Sequence, residues 1–436
     1  MADLPNLGDI RSSWSSLSVE DRQRIFVRLP RSEAEELFLH LSPADKVDLL
    51  QELPTLDKRS WLRLLPPDDA ADVIQELDAV HRTEALGLLD DQTRREVTAL
   101  LAYAEDEAGG LMNSRFLRLR PEISADEAIR YLRVQAKAAV DPIYYAYVLD
   151  VEQHLLGIVS FRELFLAPPD KTVAEVMRRD VISIPEEMDQ EEVSRQFSLH
   201  HLMALPVLDK NKHMKGIVTV NDIVDVVEEE ATEDFQKLGG VIALEAPYMQ
   251  MNLWQMIQKR AGWLTILFVS EMFTATAMAY YETEIARAVV LALFIPLIIS
   301  SGGNSGSQAS SLIIRALALK EARLRDWWRV LGKEIASGFI LGAILGSIGF
   351  TRIMLWPTRD IVYGEHYFLV AITVSVSLIG VVLWGSIMGA MLPFMLRSIR
   401  LDPATASAPL VATLVDVTGI AIYFTIASIV LRGTLL

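Results

Sequence analysis

The chain of 436 residues contains no cysteine. That excludes disulfides and thiolate metal sites. The first residues, Met1-Ala2-Asp3-Leu4-Pro5, lack the basic and apolar regions of a secretory leader, and the expectation is that none is present. No Walker-type phosphate loop is found, so ATP is not expected to drive the chemistry. Basic residues fall short of acidic ones in one part of the chain only. Residues 1–260 hold 47 Asp and Glu against 29 Lys and Arg, a balance of −18, whereas residues 261–436 hold 10 against 12, a balance of +2. A net charge of −16 and a hydrophobic content of 51% therefore belong to different parts of one chain. The acidic part argues against nucleic acid as a partner, since phosphate is recognised by Lys and Arg. It suits cations, or simple solubility.

Residues 10–104 read as short helices punctuated by Pro30, Pro43, Pro54 and Pro66. Proline is tolerated in the first turn of a helix and not beyond it, so each unit is expected to be one helix stacked on the next, as in a helical solenoid. Asp68, Asp69 and Asp72 fall at the start of one such helix, where acidic residues also complement the helix dipole.

Two looser copies of one pattern follow between 110 and 230. The first runs from Leu111-Met112 through Pro121 and 144–149 to Gly157-Ile158-Val159-Ser160; the second from Val176-Met177 through Pro185 and 205–208 to Gly216-Ile217-Val218-Thr219. Each holds a helix, a strand, a polar turn, a second strand and a further helix carrying Glu163-Leu164 or Asp222-Ile223. This β-α-β-β-α order resembles a tandem CBS-domain pair. Residues 231–260 read as a helical connector, with an amphipathic stretch at 253–257 and Trp254 suited to an interface.

Five apolar stretches follow, near 262–281, 288–314, 335–355, 367–396 and 405–431. Each is long enough to cross about 30 Å of hydrocarbon at about 1.5 Å per residue. Lys259 and Arg260 precede the first. Arg315, Lys320, Arg323, Arg325, Arg329 and Lys333 separate the second from the third, and Arg397 and Arg400 the fourth from the fifth. The opposite loops carry Glu282, Glu284 and a mixed run at Arg359, Asp360 and Glu365. The positive-inside rule then puts the acidic part in the cytoplasm and the C-terminus outside.

Polar residues inside spans mark candidate chemistry. Span two contains Ser300-Ser301-Gly302-Gly303-Asn304-Ser305-Gly306-Ser307-Gln308. Glycines there serve either close helix packing or a broken helix whose carbonyls face an ion. Asp416 lies in the middle of span five, at a cost of roughly 2.5–3.5 kcal/mol on insertion scales. A cation, a water-filled path or a hydrogen bond from Thr413 or Thr418 would account for it. Glu271 in span one either faces a wet vestibule or pairs with another span. Gly303-Asn304-Ser305-Gly306 matches the GxSG pattern of intramembrane serine proteases, but every histidine lies outside the spans, and no base is available. The chain is therefore not expected to be an enzyme.

Taken together, the helical N-terminal part, Asp106-Glu107-Ala108-Gly109-Gly110-Leu111-Met112, the CBS-like pair, Ala231-Thr232-Glu233-Asp234, Gly302-Gly303-Asn304, Leu392-Pro393-Phe394 and the run from Pro409 to Gly419 resemble the MgtE family of magnesium channels. The resemblance covers nearly the whole chain. It implies a multidomain fold: an α-helical superhelical N domain (1–107), an α+β tandem CBS pair (108–170 and 171–230), a connecting helix (231–260), and an all-α five-helix transmembrane domain (261–436) forming a homodimeric pore. It implies a multi-pass protein of the bacterial plasma (inner) membrane, importing magnesium. Asp416 from each subunit would hold a hydrated Mg²⁺, with Ala412 contributing through its backbone. Mg²⁺ sheds water reluctantly, so a carboxylate ring acting through the hydration shell suits it.

The resemblance also implies that intracellular Mg²⁺ closes the channel by bridging carboxylates at Glu36, Asp68, Asp72, Glu191, Asp222, Asp225, Glu230, Glu233, Asp234 and Asp402. Loss of Mg²⁺ would let like charges repel and favour opening. Tyr145 and Glu163 match nucleotide-contact positions, where ATP would bind and modulate the gate. The chain departs from the family pattern at His201, Leu202, Ser307 and Ala408. Two rival readings are a coupled divalent-cation exchanger and a membrane-anchored nucleotide sensor without transport.

Overall fold

The computed structural model describes residues 6–51, 53–135, 144–244, 248 and 251–435; the leader reading of Met1 to Pro5 lies outside them. The chain divides into two compact units, Met1–Glu230 and Ala231–Leu436.

The first unit opens with eight short α-helices, α1 (Leu7–Ser13), α2 (Val19–Arg28), α3 (Arg31–Leu39), α4 (Pro43–Gln51), α5 (Thr55–Leu62), α6 (Pro67–Gln75), α7 (Ala79–Leu88) and α8 (Asp91–Leu100). The prolines act as expected. Pro30, Pro54 and Pro66 are N-caps, Pro43 is the first residue of α4, and Pro67 occupies the first turn of α6. Asp78 and Asp90 cap α7 and α8 by accepting from two backbone N–H groups each. Phe26, Phe38 and Trp61 pack with ring centroids 4.9–6.2 Å apart, and the Arg31 guanidinium lies 3.8 Å from the Trp61 centroid.

A short helix α9 (Ala108–Leu111) joins this array to the CBS-like pair. Its glycines have a steric reason. A β-carbon on Gly109 would strike the Tyr103 ring, and one on Gly110 the Ala104 carbonyl. The Ala108 and Gly109 N–H groups donate to the Met188 and Glu186 carbonyls at 2.7 and 2.9 Å, and Tyr103 donates its hydroxyl to Glu186 at 2.8 Å. The helical array and the second repeat thus share one hydrophobic core.

The first repeat comprises β1 (Arg118–Leu119), α10 (Ala125–Gln135), β2 (Tyr145–Leu149), β3 (Leu155–Ser160) and α11 (Phe161–Leu166); α12 (Val173–Val176) leads to the second, with β4 (Ile184–Pro185), α13 (Gln190–His200), β5 (Ala204–Leu208), β6 (Met214–Thr219) and α14 (Val220–Leu238). Both sheets have the same topology: the first strand is parallel to the second, which is antiparallel to the third, with a register shift at Val148/Leu149 in one and Val207/Leu208 in the other. The lead-in of each repeat pairs with the last strand of the other. Asn113 exchanges two backbone hydrogen bonds with Ile217, and Arg178 two with Ile158. Gly216 and Gly157 make this approach feasible, since a β-carbon there would lie 2.7 Å from the Asn113 carbonyl oxygen or 2.6 Å from that of Arg178. The Gly of the repeated Gly-Ile-Val-Ser/Thr pattern is a packing requirement.

The second unit holds α15 (Leu253–Tyr280), α16 (Glu282–Arg287), α17 (Val289–Ala292), α18 (Ile295–Ala318), α19 (Trp327–Leu355), α20 (Arg359–Tyr363), α21 (Tyr367–Ser398) and α22 (Ala408–Val430). Among the described residues, five helical segments are long and apolar enough to cross a membrane. Two expectations change. The first spanning helix begins at Leu253, nine residues before the expected 262, so the amphipathic stretch at 253–257 is its opening turn. A capping box between Asn252 and Gln255 starts it, and nothing in Lys259-Arg260 interrupts its backbone ladder. The helix that closes the second repeat continues unbroken to Leu238. No proline or glycine lies between Val220 and Leu238 to end it.

Helix α18 is continuous through its glycines, so packing accounts for them. Gly302 and Gly306 meet Gly385 and Gly389 of α21 backbone to backbone. Ser305 and Ser386 share a hydrogen bond of 2.7 Å at the same contact. A second glycine row, Gly338, Gly342 and Gly346 of α19, lies against Ser386, Ile379 and Ser375 of α21. This spacing of four is legible in the sequence and escaped the reading above.

Candidate ion pathway and acidic regulatory cluster

Helix α22 begins at Ser407, whose hydroxyl accepts from the Leu410 N–H, with Pro409 in the first turn. Pro409, Ala412 and Asp416 lie on one stripe of this helix and are all half-exposed, while Val411, Val415, Gly419 and Ile420 are buried on the other side. Gly303 of α18 faces this stripe. A β-carbon on it would stand 3.3 Å from the Ala412 β-carbon and 3.8 Å from Asp416 Oδ1. The structure therefore brings together the glycine segment, Ala412 and Asp416.

The hydrogen-bond alternative for Asp416 is not realised. Thr413 donates to the Pro409 carbonyl at 2.9 Å and Thr418 to the Leu414 carbonyl at 2.8 Å. Thr418 also accepts from the Trp384 indole N–H at 2.8 Å. The charged neighbour of Asp416 is Glu271 of α15, close enough for the two carboxylates to repel. Beside Gly303, the residues Ser300, Asn304, Gln308 and Ser311 form an exposed polar stripe along α18. Polar groups at this depth are stable only against protein or water.

The regulatory candidates fall into separate places. In the first unit, Asp72 of α6 lies within electrostatic reach of Asp69, Glu105 and Asp222. Asp225, one turn along α14 from Asp222, feels Glu228 and Asp69. Burial first, then Asp69, Glu105 and Asp222, push the Asp72 carboxyl up to about 7. Burial, then Glu228 and Asp69, also raise that of Asp225. Asp68 is in the first turn of α6 beside Asp69. Lys46 of α4 is the opposing cation, its ammonium 3.3 Å from Asp69 Oδ1, and the His40 ring also faces Asp225. Glu105 and Lys46 were not singled out in the sequence, and Asp69 was noted there only for its place at the start of a helix.

Glu36 stands apart, 4.0 Å from Arg11. Glu191 is exposed in the first turn of α13, and Glu230 accepts from the Gln190 amide at 2.7 Å. In the second unit, Glu233 and Asp402 share the Lys237 ammonium, at 2.5 and 2.7 Å, and Asp402 also caps the Ala404 N–H at 2.8 Å. Asp234 lies beside Glu233 on α14. Burial pulls the Lys237 ammonium down, but the hydrogen bonds it donates to Asp402 and Glu233 outweigh this and raise it above its ordinary range. Among the described residues, no three His, Asp or Glu side chains form a ready-made coordination set. Asp72 and Asp225 instead feel neighbouring carboxylates through their charge.

For the nucleotide candidates, Tyr145 sits in β2 opposite Ser160. Glu163 closes a capping box with Ser160 and is 2.9 Å from the Arg178 guanidinium. Its carboxyl is held below its usual range against the effect of burial by the Ser160 hydrogen bonds and the Arg178 charge.

Comparison with known proteins agrees with this anatomy. Residues 295–426 match the family described as MgtE, divalent cation transporter; residues 6–106 match the MgtE intracellular N domain; residues 108–170 and 173–229 match the CBS domain. The magnesium transporter MgtE of Thermus thermophilus is 40% identical over 98% of this chain and 93% of its own length. That of Enterococcus faecalis is 32% identical over 77% of this chain and 72% of its own. A crystal structure of the cytosolic domain of the Mg²⁺ channel MgtE in complex with ATP is 38% identical, covering 51% of this chain and 90% of that one, with a TM-score of 0.48. With its helical N domain, its tandem CBS pair and its five apolar helices, the chain belongs to the MgtE family of divalent cation transporters.

Proposed function

We propose that the chain imports Mg²⁺ through a channel lined by Asp416 and that its acidic cytoplasmic part closes the channel when internal Mg²⁺ is high. The observation that carries the first half is Asp416 itself. It is a half-exposed carboxylate in the middle of a spanning helix, bonded to neither nearby threonine and set against Ala412 and Gly303. A carboxylate kept there at a cost of a few kcal/mol has a use for a cation. A hydrated Mg²⁺ bound through its water shell needs such an acceptor and no cage of direct ligands.

The α18 polar stripe supports a homodimer in which a second copy covers Ser300, Asn304 and Gln308 and places a second Asp416 across a shared path. The domain bounds 1–107, 108–170, 171–230, 231–260 and 261–436 belong to the same reading. So do the bacterial inner membrane, the cytoplasmic acidic domains and the external C-terminus, which rest on the basic loops at 315–333 and 397–400. The sensor half rests on the repulsion of Asp72 by Asp69, Glu105 and Asp222 and of Asp225 by Glu228 and Asp69, which a divalent cation would relieve. A nucleotide at Tyr145 and Glu163 would have to share Glu163 with Arg178.

The test is Mg²⁺ uptake into liposomes holding the purified protein. Asp416→Ala abolishes it if Asp416 lines the path. Unchanged uptake in that variant overturns the assignment. Currents that reverse at the Mg²⁺ equilibrium potential whatever the proton or sodium gradient separate a channel from a coupled exchanger.

A further inference from the structure

The acidic cluster of the first unit contains a buried cation of its own. Lys46 is 2% exposed, which is rare for a lysine. It is buried on α4, and its ammonium ends 3.3 Å from Asp69 Oδ1 of α6. It acts on Asp72 and on Asp225 as well, so one positive charge serves carboxylates from α6 and α14 together. The other titratable groups facing these carboxylates are Glu105, Asp222, Glu228 and His40.

A lysine so placed does part of the work of a divalent ion. It neutralises some of the repulsion between α6 and α14 when no Mg²⁺ is present. It also weakens the field that attracts Mg²⁺, and, being tethered, it cannot be diluted away. From this geometry we infer that Lys46 is a built-in counter-ion of the Mg²⁺ sensor, competing with Mg²⁺ for Asp69, Asp72 and Asp225 and so raising the internal Mg²⁺ concentration at which the channel closes. This deepens the sensor reading above and rests on it.

Removing the charge has a defined sign. In Lys46→Met, which keeps the bulk of the stem, and Lys46→Gln, Mg²⁺ meets a more negative cluster and binds more tightly. The half-point of Mg²⁺ inhibition of flux, and of Mg²⁺ protection of the full-length protein against limited proteolysis, should fall about three-fold or more. Lys46→Arg keeps the charge and should stay near wild type, an outcome that a purely volumetric role does not predict. Asp72→Asn with Asp225→Asn tests the underlying reading. If the double variant loses Mg²⁺ protection while Lys46→Met and Lys46→Gln leave the half-point unchanged or raised, the counter-ion role is overturned and the sensor stands. If the double variant keeps full Mg²⁺ protection, the sensor reading falls, and the inference with it. If neither uncharged Lys46 variant yields folded protein by gel filtration, the ammonium is a requirement of the fold, and the tuning role is likewise overturned.

Discussion

Gly302 and Gly385 touch backbone to backbone: a β-carbon on Gly385 would overlap the carbonyl oxygen of Gly302, and one on Gly302 would lie 2.5 Å from Val381. Four residues on, Gly306 and Gly389 repeat the contact. Neither helix can carry a larger residue there without moving away. Gly385→Val is expected to cost about 1–3 kcal/mol or more, the scale of overpacking. Thermal unfolding of the detergent-purified protein, followed by the loss of its gel-filtration peak, should begin several degrees lower. An unshifted peak would mean that the two helices separate easily.

Gly303 faces the candidate path. Contacts of 3.3–3.4 Å from a β-carbon to Ala412 are tight but yielding. Gly303→Val should therefore fold and yet press on the stripe that carries Asp416. Mg²⁺ uptake is expected to fall several-fold with thermal stability nearly unchanged, separating a pathway effect from a packing effect. Equal losses in both would place Gly303 with Gly302.

Asp72 gives a pH dependence. Its carboxyl titrates near 7 in the folded protein against an ordinary 3.8. A raised value means that the stabilising form is the neutral one. Its contribution is complete below 3.8 and is lost as pH rises through about 7. Mg²⁺ prefers the charged form, so it competes with a proton in that window. The internal Mg²⁺ needed for half-inhibition should be up to about ten-fold higher at pH 6 than at pH 8. Asp72→Asn should flatten this profile, as flux recorded at both pH values would show.

Lys237 bonds Glu233 one turn away and Asp402 165 residues along the chain. The pair is partly solvated, so its direct worth is about 1 kcal/mol after screening. Lys237→Met leaves two carboxylates facing each other. Without Mg²⁺ the variant should unfold a few degrees earlier than the wild type, and added Mg²⁺ should recover more of the loss than it adds to the wild type. A deficit indifferent to Mg²⁺ would show that no divalent ion takes the lysine's place.

The membrane features were legible because they are anomalies. A carboxylate or a run of glycines stands out in an apolar helix, and Asp416, Ala412 and Gly303 do meet in space. The acidic cluster was only half legible. Asp72, Asp222 and Asp225 carry no local mark beyond charge in a chain full of it, and family resemblance found them. Asp69, on the same helix as Asp72, was noted only for the helix dipole, and Lys46 and Glu105 complete the group from other parts of the chain, where no periodicity points to them. Helix limits failed for another reason. Lys259 and Arg260 look like a boundary to hydropathy, but the α15 hydrogen-bond ladder runs through them without regard to side-chain polarity.

The crossed pairing of the two CBS repeats bears on how the protein is made. Asn113 ahead of the first repeat pairs with Ile217 of the second, and Arg178 ahead of the second pairs with Ile158 of the first. While the ribosome is still delivering the second repeat, the first has a sheet with one flank bare. The pair completes late and as a unit, so a truncation between the repeats would leave no half able to stand in for the whole.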